Sequence, residues 1–400
     1  MYQIDKDYII KLRRAIHQYP EVDFELPRTI TVVKRELEKM GIPYTEKYGK
    51  SSVVGYINPQ KEGFTIGIRA DMDALLIDEI NDISYKSKID GKMHACGHDA
   101  HTAMLLGTAK TLKAMENKIN CRVMLLFQPS EEGRQSGAEL MVQDGIMDEI
   151  DVIIGVHIEN WLNSGCVGVC KGESMASSRN FQLEFFGRTA HATLPHSGND
   201  ALAAAVDAYN GIQLMLARKL NPFAKYVCSV GTLHAGTTQN VVADYAQMLG
   251  TIRTFDMNVD ELLIKNIEEI CSRAAKNFGC TFKLTTSLKC YVVYNNPYIA
   301  DRVLSAAAKV VGEENIAEML IKMSSEDFSQ YLTKKPGVFI RLGTRNEAKG
   351  ITTLPHNNDF MIDEDALDKG SATCVQFVLD NMDGIDKEKI EDSDERKGRQ

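Results

Sequence analysis

Short apolar runs of strand length alternate with helical stretches through the first part of the chain, and this alternation narrows the possible folds more than any other feature. The runs lie at residues 52–57, 64–70, 122–127 and 151–157, with helical stretches such as 100–115 between them. Strands that read as nearly continuous apolar runs need cover on both faces, and intervening helices supply it, so an α/β sandwich with a mainly parallel sheet is expected. Ahead of them, Ile9, Leu12, Ile16 and Tyr19 share one face of a helix closed by Pro20. A second helix carries Ile30, Val33, Leu37 and Met40 and stops at Gly41. In such a sheet chemistry gathers at strand C-termini. Asp71, Glu131, Glu132 and His157 fall there, each at or just past the end of an apolar strand.

From about residue 180 the order becomes strand 181–186, helix 200–220, strand 226–233, strand 243–252, helix 260–278 and strand 281–288. That β-α-β-β-α-β order is the ferredoxin-like unit. We therefore expect an inserted α+β domain over 180–290, with 1–179 and 291–382 forming the first domain in two parts. The stretch 383–400 is nearly all charged or polar and is expected to be disordered. With 400 residues, 44% of them hydrophobic and 25% charged, the chain can supply two cores.

A net charge of −9 without a basic stretch argues against nucleic acid or an anionic membrane as partner and favours a small molecule. No apolar run approaches the ~20 residues that cross a bilayer. The opening MYQIDKDYII lacks the order of a signal peptide, so a cytoplasmic protein is expected. Nine scattered cysteines form no disulfide framework. Cys166 and Cys170 could pair on a metal, but SGCVGVCKG alternates like a strand, which favours two packing thiols.

Residues 92–102, KMHACGHDAHT, place Cys96 and His98 in one turn ahead of an apolar helix. A thiolate and an imidazole two residues apart suit borderline cations such as Zn²⁺, Ni²⁺, Co²⁺ or Mn²⁺. Taken alone, the cluster fits core or capping histidines and a buried thiol as readily. In QPSEEG the adjacent Glu131 and Glu132 repel one another; beside a dication one could bind it and the other keep a proton-accepting role. A solvated acidic turn is the plainer alternative, weakened by the apolar strand that delivers the pair and by Gly133, which frees the backbone. His157 ends an apolar strand and His356 sits in the loop LPHNND; either alone is more often structural. Together, a cysteine, several histidines and carboxylates at loop positions of one α/β domain point to a metal centre.

These residues resemble the M20 metallopeptidase family, in the amidohydrolase branch that includes hippurate hydrolases, N-acyl-amino-acid deacylases and plant auxin-conjugate hydrolases. The resemblance runs in order through RRAIHQYPEVDFE, IRADMDAL, GKMHACGHDAHTAMLLG, LLFQPSEEG, GVH, GRTAHATLPHSGNDAL, GTTQNVVAD, GTIRTF, SSEDFS and PHNNDFMIDEDAL, nearly the whole chain. It implies that Cys96, His98, Glu132, His157 and His356 hold one or two divalent ions (Zn, Mn, Co or Ni) with Cys96 bridging, and that Glu131 is the general base. It also implies that the inserted domain is a lid and dimerisation domain, giving a homodimer or homotetramer. There His191 would reach the reacting carbonyl, in its own or a neighbouring subunit, with Asn240 and Arg253 at substrate-contacting positions. The implied reaction is hydrolysis of an N-acyl amino acid to a carboxylic acid and a free amino acid. A metallo-dipeptidase or carboxypeptidase is the alternative, and a non-catalytic metal or redox-thiol protein a more distant one. The sequence departs from the branch at Leu76, where proline is usual, and in IENWLNSG after His157, read as a substrate-bordering loop whose Trp161 lines it or simply packs.

Overall fold

The computed structural model describes residues 2–394. The chain divides into two compact units, one formed by the residues up to Ser174 with Val293–Ile321 and the chain from Asp327 onward, the other by Met175–Val292 and Lys322–Glu326.

The first unit is built on an eight-stranded sheet whose centre runs Arg122–Gln128, Thr65–Asp71, Val152–Asn163, Gly337–Arg345, all parallel. Val53–Ile57 and Tyr44–Thr45 extend one side antiparallel, and Val167–Val169 and Ile316–Glu318 extend the other. Every residue of Thr65–Asp71 is buried, as a central strand covered on both faces requires. The helix His98–Ala114 is buried along almost its whole length, and its small residues let neighbours approach. A Cβ on Gly107 would stand 2.6 Å from Ile9 Cδ1, so the helix Lys6–His17 packs there only because that position is glycine.

Two expectations are corrected here. The strand that delivers His157 continues to Asn163, so His157 lies in its middle and IENWLNSG begins as strand instead of loop. Its register with Gly337–Arg345 explains this, because the pairs His157↔Arg341, Ile158↔Leu342 and Glu159↔Gly343 carry the ladder onward. The charged stretch after residue 382 contains a helix, Lys387–Asp392, which Asp386 caps through the N–H groups of Glu388 and Lys389. Its two isoleucines supply the reason: Ile385 is buried and Ile390 packs against the core of the first unit. Residues 395–400 of that stretch lie outside the described residues.

The second unit is a four-stranded antiparallel sheet in the order Thr281–Cys290, Ser178–Phe186, Tyr245–Thr254, Tyr226–Ala235. The helices Ala201–Arg218 and Met257–Asn277 bury Ala204, Ala208, Ile212, Leu263 and Ile267 in one cluster with Phe181, Leu183 and Phe185 of the sheet. Strand order and helix placement are those of the ferredoxin-like fold. Asp200 and Asp256 start the two helices by accepting the N–H groups of Ala203 and Asn258. Among the described residues no helix is long and apolar enough to cross a membrane. Replacing the fully buried Ile267 by alanine should cost about 2–5 kcal/mol, measured by chemical denaturation of the purified chain; a loss under about 1 kcal/mol would contradict this account of the second core.

Candidate metal centre

The centre begins at the turn into the helix His98–Ala114. Gly97 takes φ +82°, and a Cβ there would stand 2.6 Å from Ile158 Cγ1, so only glycine lets the Cys96–His98 turn lie against the strand bearing His157. Cys96 and His98 are both buried. Cys96, His98 and His157 each bring one donor atom within 4.8 Å of the others; so do Cys96, Glu132 and His356, and so do His98, Glu131 and Glu132. These overlapping triads bring together, from four separate segments, all six residues singled out in the first unit. Cys96 Sγ is 3.5 Å from His157 Nε2, and His356 Nε2 is 3.0 Å from Glu132 Oε1.

The segments carrying Glu131, Glu132 and His356 are held from behind. Asp73 accepts the N–H groups of Glu131 (2.9 Å) and Glu132 (3.0 Å), which fixes the turn carrying the adjacent carboxylates. Gly133 matters there for space and not for backbone freedom: a Cβ would fall 2.3 Å from both Asp23 Oδ1 and Ser130 Oγ. His356 adopts φ +67°, a strained value for a residue with a Cβ, and its N–H donates to the Ala95 carbonyl at 2.8 Å, tying its loop beside Cys96. Its side chain is 53% exposed, in contrast to the buried Cys96, His98 and His157. Below the centre, Asp71 accepts from Arg69 Nη1 at 2.7 Å and from His101 at 2.5 Å. Arg69 also donates to Gln128 and Asp327.

The electrostatics favour a cation. Burial disfavours the Asp71 carboxylate, but Arg69, with His98 and His101, outweighs it and holds its pKa well below the usual range. Burial keeps the His157 ring neutral, reinforced by His101 and Arg341, which leaves it suited to ligation. Burial, followed by the Glu132 carboxylate, pushes the Cys96 thiol up, so thiolate here requires a compensating positive charge. Among the described residues neither buried nitrogen of His98 makes a hydrogen bond; Asp73 Oδ1 lies 3.4 Å from Nδ1 and Asp71 Oδ2 3.6 Å from Nε2. Orphaned imidazole nitrogens beside a thiol, a second imidazole and two glutamates fit a divalent ion.

The residues singled out in the second unit are placed within it. His191 is exposed and bridged to Val241, its Nδ1 lying 2.8 Å from Thr193 Oγ1. Asn240 is its neighbour, its carbonyl accepting the Ala192 N–H at 3.0 Å. Arg253 is half-buried on the strand Tyr245–Thr254 and donates to the Ile252 carbonyl; among the described residues no carboxylate pairs with it. Burial lowers its pKa. In the first unit Trp161 is 64% exposed, so it is not a packing residue. Sequence reasoning gave Arg69 and Asp73 no role and took His101 only as a core or capping histidine. For Arg69 and Asp73 the signal was IRADMDAL, where charged residues interrupt an apolar central strand and continue just past its end.

A constellation of thiol, imidazoles and carboxylates beside a parallel sheet, most of it buried, fits a metal-dependent enzyme. The chain belongs to peptidase family M20/M25/M40, which matches residues 67–380. It is 38% identical to thermostable carboxypeptidase 2 of Saccharolobus solfataricus over 94% of this chain and 95% of that one. It is 34% identical to N-acetyl-L-cysteine deacetylase of Bacillus subtilis over 96% and 90%. A solved dinuclear metal-binding peptidase of the M20 family from Bacillus subtilis superposes with a TM-score of 0.82 at 29% identity, over 95% of this chain and 99% of that one. The protein is accordingly a hydrolase of amide or peptide bonds.

Replacing Gly97 by alanine should cost about 1–3 kcal/mol and weaken metal binding, because either the left-handed turn or Ile158 must move. Denaturation and metal titration of the variant check this; wild-type values for both would contradict the role given to Gly97.

Proposed function

We propose that this enzyme hydrolyses the amide bond of N-acyl amino acids, releasing a carboxylic acid and a free amino acid. The observation that carries the reading is the set of overlapping triads Cys96–His98–His157, Cys96–Glu132–His356 and His98–Glu131–Glu132, in each of which one donor atom of every residue lies within 4.8 Å of the others. One or two divalent ions, Zn²⁺, Mn²⁺, Co²⁺ or Ni²⁺, would be held by Cys96, His98, Glu132, His157 and His356. When bound, such an ion polarises the substrate carbonyl and acidifies a water molecule.

The remaining steps belong to the protein. Glu131, at the backbone turn fixed by Asp73, takes a proton from the attacking water on its carboxylate and passes it to the departing amine nitrogen. His191 donates toward the carbonyl oxygen as negative charge develops there. Arg253 pairs its guanidinium fork with the substrate α-carboxylate, and Asn240 contacts the substrate. The ferredoxin-like unit serves as lid and as the surface of a homodimer or homotetramer, and the enzyme works in the cytoplasm.

A carboxypeptidase or dipeptidase is the second reading, supported by the resemblance to the Saccharolobus enzyme. The acyl-amino-acid reading is favoured by the cysteine among the ligands and by the relative that acts on N-acetyl-L-cysteine. N-acetyl and N-benzoyl amino acids assayed beside dipeptides, with enzyme reconstituted separately with each ion, separate the two. Faster turnover of dipeptides under every ion would overturn the first.

Three further outcomes are expected. Chelation abolishes turnover and metal addition restores it. Glu131→Gln lowers kcat by roughly 10²–10⁴-fold while metal content stays near wild type; near wild-type turnover removes Glu131 from the role of base. Arg253→Ala raises KM by roughly 10–100-fold, and unchanged KM excludes the carboxylate contact.

A further inference from the structure

His101 lies in the same buried turn-helix segment as Cys96 and His98, yet it is not among the residues assigned to an ion. Its hydrogen bonds determine its protonation. The Ile158 N–H points at His101 Nε2 at 2.9 Å, and a backbone N–H can only donate, so Nε2 carries the lone pair. The proton therefore resides on Nδ1, 2.5 Å from Asp71 Oδ1.

Ile158 also acts in the other direction. Its carbonyl lies 2.6 Å from His157 Nδ1, and a carbonyl can only accept, so His157 carries its proton on Nδ1 and offers the Nε2 lone pair, the nitrogen facing Cys96 Sγ. The strand geometry explains why side chains fill these places. Pairing between Thr65–Asp71 and Val152–Asn163 runs from Ile66↔Val152 to Arg69↔Gly155 and then ends. Beyond it, the Ile158 N–H and carbonyl take partners from His101 and His157. The two rings also touch, with centroids 4.5 Å apart.

We propose that His101 is a positioning residue for the metal centre: by holding the Ile158 N–H and anchoring itself on Asp71, it fixes the backbone whose carbonyl selects the coordinating nitrogen of His157. The proposal rests on the metal-centre reading above. It assigns His101 no contact with substrate or ion. An outer partner of this kind typically changes metal affinity by ~10–100-fold when removed.

The test uses Co²⁺ binding, read by chelator competition and by visible d–d absorption, on the full chain with folding checked by circular dichroism. His101→Ala should weaken Co²⁺ binding by ~10–100-fold and alter the d–d bands. His101→Gln and His101→Asn separate positioning from bulk packing. The glutamine amide reaches toward the Nε2 position and can accept the Ile158 N–H, whereas the asparagine amide stays near Nδ1 and serves only Asp71. Glutamine should therefore retain more affinity and a more native spectrum than asparagine. Wild-type affinity and spectrum in His101→Ala overturn the proposal, as does asparagine matching or exceeding glutamine, a comparison that stands even if the alanine variant fails to fold. Failure of the wild-type chain to bind Co²⁺ at all would instead overturn the metal-centre reading, and this inference with it.

Discussion

The Asp73 carboxylate is the interaction on which the geometry of the centre depends. By accepting two successive backbone N–H groups it fixes the turn at Glu131 and Glu132, so two like-charged side chains project from a rigid base. Its neighbour Asp71 performs the matching task on the other side, drawing in Arg69 and His101 from a central strand and a buried helix. Burying carboxylates is costly unless cations and donors surround them, and here they do. The donors facing the pocket are less fully compensated. Buried nitrogens without hydrogen bonds and a thiol driven to its neutral form represent stability withheld until an ion arrives. Binding to the folded state alone then stabilises it, by about 2.7 kcal/mol at an ion concentration a hundredfold above Kd.

Much of the architecture was legible because its causes are local. Residues 64–70 are apolar apart from Thr65 and Arg69, as suits a strand covered on both faces, and the β-α-β-β-α-β order of the second unit follows from periodicity alone. The candidate ligand residues stood out by type at strand ends and in loops, although His157 proves to lie within its strand. What escaped depends on contacts distant in sequence. The strand through His157 continues to Asn163 only because Gly337–Arg345 pairs with it far along the chain. The terminal helix forms because two isoleucines dock, a fact hidden by the charges around them.

Roles within one motif were harder still. His94 and His101 flank the same turn in KMHACGHDAHT, and both are buried. One joins a carboxylate to a backbone N–H, while neither nitrogen of the other makes a hydrogen bond among the described residues. Nothing in their spacing distinguishes them. Gly133 teaches a related point, since its need for glycine comes from the side chains of Ser130 beside it and Asp23 far back in the chain, and not from its own dihedral angles.

His356 differs from its fellow ligand candidates in being exposed, on a strained backbone, in a loop tied down by its own N–H to Ala95, by the Ile80 N–H to the Asn358 carbonyl and by Asn160 to the Thr353 carbonyl. Cys96, His98 and His157 can set how tightly an ion is held at equilibrium, because they barely meet solvent. The lifetime of the bound ion is a separate matter, governed by whichever donor lets go most easily. His356 is the one of these four side chains that solvent reaches, so water can take its place most readily there, and exchange with the surrounding metal pool is set at that position even where occupancy is high.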